Sequence, residues 1–384
     1  MLKNLKLRNF KSHQDTEINF DDSRLHALVG QNSSGKTSVL QALHYLARLT
    51  DSTFGEIFIN QNSPGYIATV GQDSVHVIAS GCSIVDELHK DWKAQYSFSL
   101  SKVDGSWYPT LLDELGNVID YNLSWESSLH NYLRSIPADF IPTDLKFAVH
   151  LKLSSTNLAK ATYSEDIVPQ MEFDGTGLAP TLDYLRNEAP ENFQVLQGKL
   201  KQVVPGVVKI GIRRAKVVVS RQAAIAVKGK SISYEEPQEM VGQEVILDMN
   251  TGERIPAHAL SEGTVLTLGL LTVLQNPKKP SLLLLDDVEQ GLHPKAQRDL
   301  MTVFKEIIND NPELQIIFST HSPYIVDELE PSQVHVLSNN HSGFTRCKRL
   351  DEHPDIEWAK KTLTTGEFWG AEGEDWVASG EVDD

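Results

Sequence analysis

Two short stretches hold the residue types with the widest chemical reach. Residues 30–37, "GQNSSGKT", satisfy the pattern G-x-x-x-x-G-K-[ST] in full. Gly30 and Gly35 let the backbone wrap phosphate groups, and its N–H groups form an anion nest with the start of the following helix. Lys36 reaches the terminal phosphates, and Thr37 offers a hydroxyl to Mg²⁺. Residues 282–294, "LLLLDDVEQGLHP", are an apolar run closing on two carboxylates. Asp286, at the end of the run, is placed to hold Mg²⁺ through water. Asp287, where the chain turns, is placed to orient an attacking water.

Two further stretches fit the same chemistry. "LSEGT", residues 260–264, opens an apolar helix. Ser261 and Gly263 at that helix start make a second phosphate-binding end, or else an ordinary N-cap. "FSTHSP", residues 318–323, places His321 after an apolar stretch, where its ring can hydrogen-bond a γ-phosphate and report its presence.

The elements that must position these groups are legible in the same way. "RLHALVG" reads as a strand running into the glycine-rich loop, and "KTSVLQALHYLARL" has apolar residues at helical spacing. "LKNLKLRNF" alternates as a strand. Residues 51–148 read as an antiparallel flank of short strands with turns such as "DGSWYP". Residues 177–204 predict two helices joined near Pro190, and strands return over 207–250. "SLLLLDD" and "LQIIFSTHS" read as buried strands either side of the helix "PKAQRDLMTVFKEIIND", and "QVHVLSNN" with "GFTRCKRL" as a closing hairpin. No sustained heptad pattern exists, so no long coiled coil is expected. The division is then 1–170, an N-terminal lobe with the phosphate loop and β flank; 171–245, a helical and β insertion; 246–350, a C-terminal lobe; and 351–384, an acidic aromatic tail.

Bulk composition narrows the partners. The net charge is −17 over 384 residues. An acidic chain is no generic nucleic-acid binder, because phosphate contacts need Lys and Arg. Local DNA contact would have to run through 209–230, where Lys209, Arg213, Arg214, Lys216, Arg221, Lys228 and Lys230 cluster; the alternative is a solvated strand face. Two cysteines, Cys82 and Cys347, without metal-ligand spacing fit a reducing cytoplasm. No apolar run nears the ~18 residues of a membrane span, and "MLKNLKLRNF" is not a signal peptide.

Taken together, these pieces resemble the ABC-type ATPases of the RecF/SMC branch. "LKNLKLRNFKSHQDTEINF…LHALVGQNSSGKTSVLQAL" looks like the branch's opening, "ALSEGT" its signature, "LLLLDDVEQGLHP" its Asp-Glu-Pro-Glu…Leu-His-Pro block, and "STHSP" its switch-histidine loop. The likeness is greatest to compact members, the ATPase portion of the overcoming-lysogenisation-defect (OLD) family, many of which act in bacterial anti-phage systems beside a nuclease or another effector. It covers the residues around 1–50, 172–206 and 245–335. The fold it implies is α/β: a P-loop ABC-type ATPase head with a mixed sheet, an antiparallel β flank and a small helical lid insertion.

The resemblance also implies roles. Gly30, Asn32, Ser33, Ser34, Gly35, Lys36, Thr37 and Ser38 bind ATP phosphates, with Thr37 and Asp286 serving Mg²⁺. Lys11, in "NFKSH", matches a basic position that approaches nucleotide. Ser261 and Gly263 contact the γ-phosphate on the other subunit of a head-to-tail homodimer. Asp287 serves the water and His321 the γ-phosphate. The branch also draws a glutamine from a loop after the first helix; Gln61 stands at that place with loose spacing.

Three departures shape the functional expectation. Ser33 stands where related loops often carry glycine, which serine tolerates if its φ is negative. Asp287 replaces glutamate and Val288 replaces proline. One methylene fewer retracts the carboxylate, and a misplacement of ~1 Å costs on the order of a hundredfold in rate. ATP binding and ATP-driven dimerisation are expected, with slow hydrolysis; if retraction limits the rate, glutamate at 287 should raise turnover. Too little chain follows His321 for the nuclease domain of OLD proteins, so the effector is expected on another polypeptide. Phe368, Trp369 and Trp376 in the tail are anchor types for such a partner, or pack back on the core. A RecF/SMC-like repair ATPase that binds DNA directly is the alternative.

Overall fold

Continuous apolar runs bounded by turn residues belong to strands buried on both faces, and three such strands lie side by side in one sheet of this protein. A computed structural model describes residues 1–85, 88–112, 118–120, 125–126, 143–227 and 230–378. The described chain divides into two compact units. One holds Met1–His150, Pro280–Glu289 and Phe304–Asp384, the other Leu151–Lys279 and Gln290–Val303.

In the first unit, strands β1 (Leu2–Phe10), β2 (His13–Asn19), β4 (Ser74–Val85), β5 (Leu88–Leu100), β6 (Trp107–Leu112) and β7 (Val118–Asp120) form a sheet in the order β2-β1-β4-β5-β6-β7. Every pairing in it is antiparallel. The expected β flank is there, but its two main strands span 12 and 13 residues rather than short pieces.

The central sheet has the order β15-β14-β3-β13-β12-β8. Its members are β3 (Leu25–Gly30), β8 (Ala148–Leu151), β12 (Leu282–Leu285), β13 (Gln315–Ser319), β14 (Val334–Asn339) and β15 (Thr345–Arg349). β14, β3, β13 and β12 run parallel, and β15 closes antiparallel on β14. Every residue of β3, β12 and β13 is buried. Helix α1 (Lys36–Arg48) touches β1 and β5 of the flank and β3, β12 and β13 of the central sheet. Its stripe Val39, Leu40, Leu43 and Leu46 is buried in that shared core, as apolar residues at helical spacing require.

In the second unit, β9 (Val207–Val227) and β10 (Lys230–Met249) make one long hairpin, extended by β11 (Arg254–Pro256). Helices α2 (Leu178–Glu188) and α3 (Pro190–Val203) meet at Pro190 as the sequence indicates. Both touch α4 (Glu262–Leu274), which is buried along nearly its whole length. Helix α5 (Pro294–Asp310) follows the Leu292-His293 turn, and from Phe304 onward it belongs to the first unit.

The tail decides between the two readings of its aromatic residues. Phe368 and Trp369 are only 1% and 7% exposed, on helix α6 (Thr365–Glu372), and pack back on the core rather than stand out as anchors. Trp376 lies edge-on to His353, with ring centroids 4.8 Å apart. Among the described residues no helix is long and apolar enough to cross a membrane.

Candidate active site

The loop between β3 and α1 wraps a polar cleft of about 220 Å³. Ser12, Asn32, Ser33, Ser34, Gly35, Lys36, Thr37, Ser38, Asp287 and His321 line it, so the structure gathers the phosphate loop, the second acid and the histidine at one place. Lys36 is the first residue of α1, and its ammonium donates to Gly30 O and Gln31 O, both at 2.8 Å. Burial pushes its pKa down, while Asp287, Asp286 and Glu289 favour the charged form. Ser34 Oγ is buried and has no partner among the described residues. A buried unpaired hydroxyl in such a loop fits an acceptor that arrives with the ligand.

Thr37 Oγ1 donates to Asp286, 3.0 Å from Oδ2. A hydroxyl and a carboxylate at that spacing, beside a phosphate nest, suit a hard cation that takes its other ligands from phosphates and water. Among the described residues no three His, Cys, Asp or Glu side chains converge as a closed metal site. Thr37 and Asp286 are therefore the residues that would hold Mg²⁺, and the ion would supply charge neutralisation at the phosphates.

Asp287 has φ +53°, in the left-handed region. Aspartate enters that region far more readily than most residues, which gives its presence here a backbone reason. Ser319, at the end of β13, ties both acids together. Its hydroxyl donates to Asp286 Oδ1 at 2.6 Å and accepts from Asp287 N at 2.8 Å. Val288 N donates to Ser319 O at 3.2 Å, and the Val288 side chain is buried. Sequence reasoning passed over Ser319, although it stands two residues before His321.

Glu289 was passed over as well. Its Oε1 accepts the backbone N–H of His321 at 2.7 Å. His13 supports the loop from beneath. Its Nε2 is 3.2 Å from Gly35 O and its Nδ1 3.1 Å from Thr16 Oγ1. Burial holds its pKa down to about 4. Gly35 has φ +95°, and a Cβ there would come within 2.6 Å of His13 Nε2, so glycine is required on both counts.

One expectation needs correction. Ser33 has φ +65°, not a negative value; Asn339 Nδ2 donates to its carbonyl at 3.1 Å. The ammonium of Lys11 is bonded to Gln41 on α1, one turn beyond Thr37, and Lys11 is absent from the cleft lining. Gln61 lies exposed in a short 3₁₀ turn.

In the second unit Ser261 is the N-cap of α4, and its hydroxyl accepts from Thr264 N at 3.3 Å. Gly263 is buried against the following loop: a Cβ there would come within 2.7 Å of Gly291 O.

A buried-strand acid, a wrapped phosphate loop and a histidine lining one cleft define a P-loop ATPase head. Residues 25–327 match the family described as "AAA domain, putative AbiEii toxin, Type IV TA system", and the chain belongs to that family. It is 23% identical to the Retron Vc95 probable ATPase of Vibrio cholerae serotype O1 biovar El Tor, over 88% of this chain and 73% of that one. It is likewise 23% identical to an ATP/GTP phosphatase of Helicobacter pylori (86% and 88% covered), and to an OLD nuclease of Thermus scotoductus (85% and 60%). Short matches of 45 and 46 residues to a Rad50 ATPase and a RecF protein span only 4% and 12% of those proteins. The fold is that of the SMC head in its complex with the C-terminal winged-helix domain of ScpA, at TM-score 0.55 and 15% identity over 91% of this chain and 99% of that one. The chain is an ATPase.

Proposed function

We propose that ATP with Mg²⁺ draws two copies of this ATPase together head-to-tail, and that the paired state controls a separate effector in the cytoplasm, in anti-phage defence. The observation that carries the reading is the cleft itself. Asp287 and His321 line the same space as the phosphate loop, so a γ-phosphate is met by an acid and a histidine as well as by Lys36.

Asp286 and Thr37 hold Mg²⁺, Lys36 neutralises the terminal phosphates, Asp287 orients the water, and His321 senses the γ-phosphate. With so little covalent chemistry to perform, positioning sets the rate. The left-handed backbone that carries Asp287 limits how its carboxylate meets the water, and the low rate that follows suits a switch. Ser261 and Gly263 belong to the second unit; in the arrangement that the resemblance implies they close on the phosphates of the other copy. Effector control draws support from the family description, which names a toxin–antitoxin system and hence more than one component, and from the retron ATPase among the relatives.

Lys36→Ala is expected to lose ATP binding by calorimetry, and unchanged affinity would remove the reading. Ser261→Arg should bind ATP yet fail to form the ATP-dependent dimer in light scattering; normal dimerisation would refute the head-to-tail arrangement.

Direct DNA binding is the second reading, favoured by the short RecF and Rad50 matches. The charges of the long hairpin weigh against it. Arg213 is paired with Glu244 at 2.8 Å and Lys216 with Glu239 at 3.1 Å. The side chains of Arg221, Lys228 and Lys230 lie outside the described residues. Arg214→Glu with Lys216→Glu should leave ATPase activity the same with and without duplex DNA. A DNA-stimulated rate that these changes abolish would favour the repair reading.

A further inference from the structure

His321 is exposed, yet its neighbours Thr320 and Ser322 are buried. Thr320 N donates to Leu28 O at 3.1 Å, and Ser322 N to Thr320 Oγ1 at 3.1 Å. Pro323 follows and has no N–H to give. The backbone of His321 itself is held by a side chain from another strand end: Glu289 Oε1, at 2.7 Å from His321 N. That bond is charge-assisted, hence shorter and stronger than a neutral one.

Glu289 stands two residues after Asp287, in the turn that carries both acids. Its other oxygen, Oε2, is buried and has no partner among the described residues. A buried carboxylate oxygen without a partner is costly, and stability alone does not account for it.

We infer that Glu289 is the positioning residue of the switch histidine: by holding His321 N it sets the imidazole towards the γ-phosphate and joins the acid turn and the histidine loop into one unit. The inference rests on the reading of His321 as γ-phosphate sensor. It explains why a glutamate follows the acid pair at this distance. Its charge also favours the ammonium form of Lys36 across the cleft.

Glutamine at 289 keeps a carbonyl oxygen that accepts the same N–H; alanine keeps nothing. Calorimetry on the full chain, with a non-hydrolysable ATP analogue and with ADP, separates the cases. Glu289→Ala should weaken the analogue about tenfold and leave ADP within about twofold, because only the γ-phosphate meets His321. His321→Ala should do the same, the double variant should lose little more, and Glu289→Gln should recover most of the loss. A His321→Ala loss that Glu289→Ala does not reproduce overturns the positioning role alone. So does a double variant whose losses multiply, a Glu289→Gln protein as weak as Glu289→Ala, or an equal loss for ADP. A His321→Ala protein that binds the analogue as wild type overturns the sensor reading, and this inference with it.

Discussion

Ser319 Oγ lies 2.6 Å from Asp286 Oδ1 and 2.8 Å from Asp287 N, so one hydroxyl on β13 fixes both acids at the end of β12. The parallel register that pairs Leu285 with Phe318 brings the two strand ends level and makes this contact available. Ser319→Ala would remove a donor to a buried carboxylate and orphan the Asp287 N–H. A hydrogen bond to a charged group is worth about 2 kcal/mol. The variant is expected to lower kcat by at least about tenfold with a smaller effect on ATP affinity, in steady-state ATPase assays paired with calorimetry.

The left-handed backbone at Asp287 reverses what side-chain length alone suggests. Glutamate restores reach but adopts φ +53° less readily than aspartate. The loop is built around the shorter acid. Asp287→Glu is therefore expected to bind ATP normally and turn over more slowly than wild type; a several-fold faster variant would show that reach, not backbone, limits the rate.

Ser33 tests the same physics in the phosphate loop. Its φ of +65° costs an L-residue roughly 1–2 kcal/mol, and the extra unfolded-state entropy of glycine returns roughly 0.5–1 of that. Ser33→Gly should leave the protein equally or slightly more stable in thermal denaturation. Ser33→Val, β-branched in a left-handed position, should lower the melting temperature by several degrees.

Buried histidines set an acid limit. Burial holds His13, His26 and His44 each down to about 4, against an ordinary value of 6.5. Their neutral rings are native, so the unfolded chain takes up more protons below 6.5. Stability is fully present above about pH 6.5 and drains as pH falls towards 4. Melting temperatures measured from pH 7.5 down to 4.5 should fall steadily. His13→Gln, which keeps a donor towards Gly35 O, should flatten part of that fall. A melting temperature independent of pH over this range would contradict the burial argument.

How much the sequence reveals depends on whether a role is local. The phosphate loop is contiguous, and its glycines, lysine and threonine name themselves. The acid pair is legible because four leucines before it demand a buried strand. Ser319 and Glu289 lie inside the recognised motifs, but they act across 33 and 32 residues of chain, through the meeting of two strand ends, and no local pattern names those partners. The φ values of Ser33 and Asp287 have no signature in composition. The tail was open to better reading: Thr364 and Glu367 form a capping box, and that spacing before "FW" announces a packed helix rather than a loose docking tail.

The central claim is a nucleotide-gated pair, and light scattering on Asp287→Ala with Mg²⁺ and saturating ATP tests it most directly. Asp286 and Thr37 remain to hold the ion, and His321 remains to meet the γ-phosphate, so the variant should persist as an ATP-bound dimer and return to monomer when ADP replaces ATP. An Asp287→Ala protein that stays monomeric with ATP bound, or that hydrolyses ATP as fast as wild type, would contradict the account.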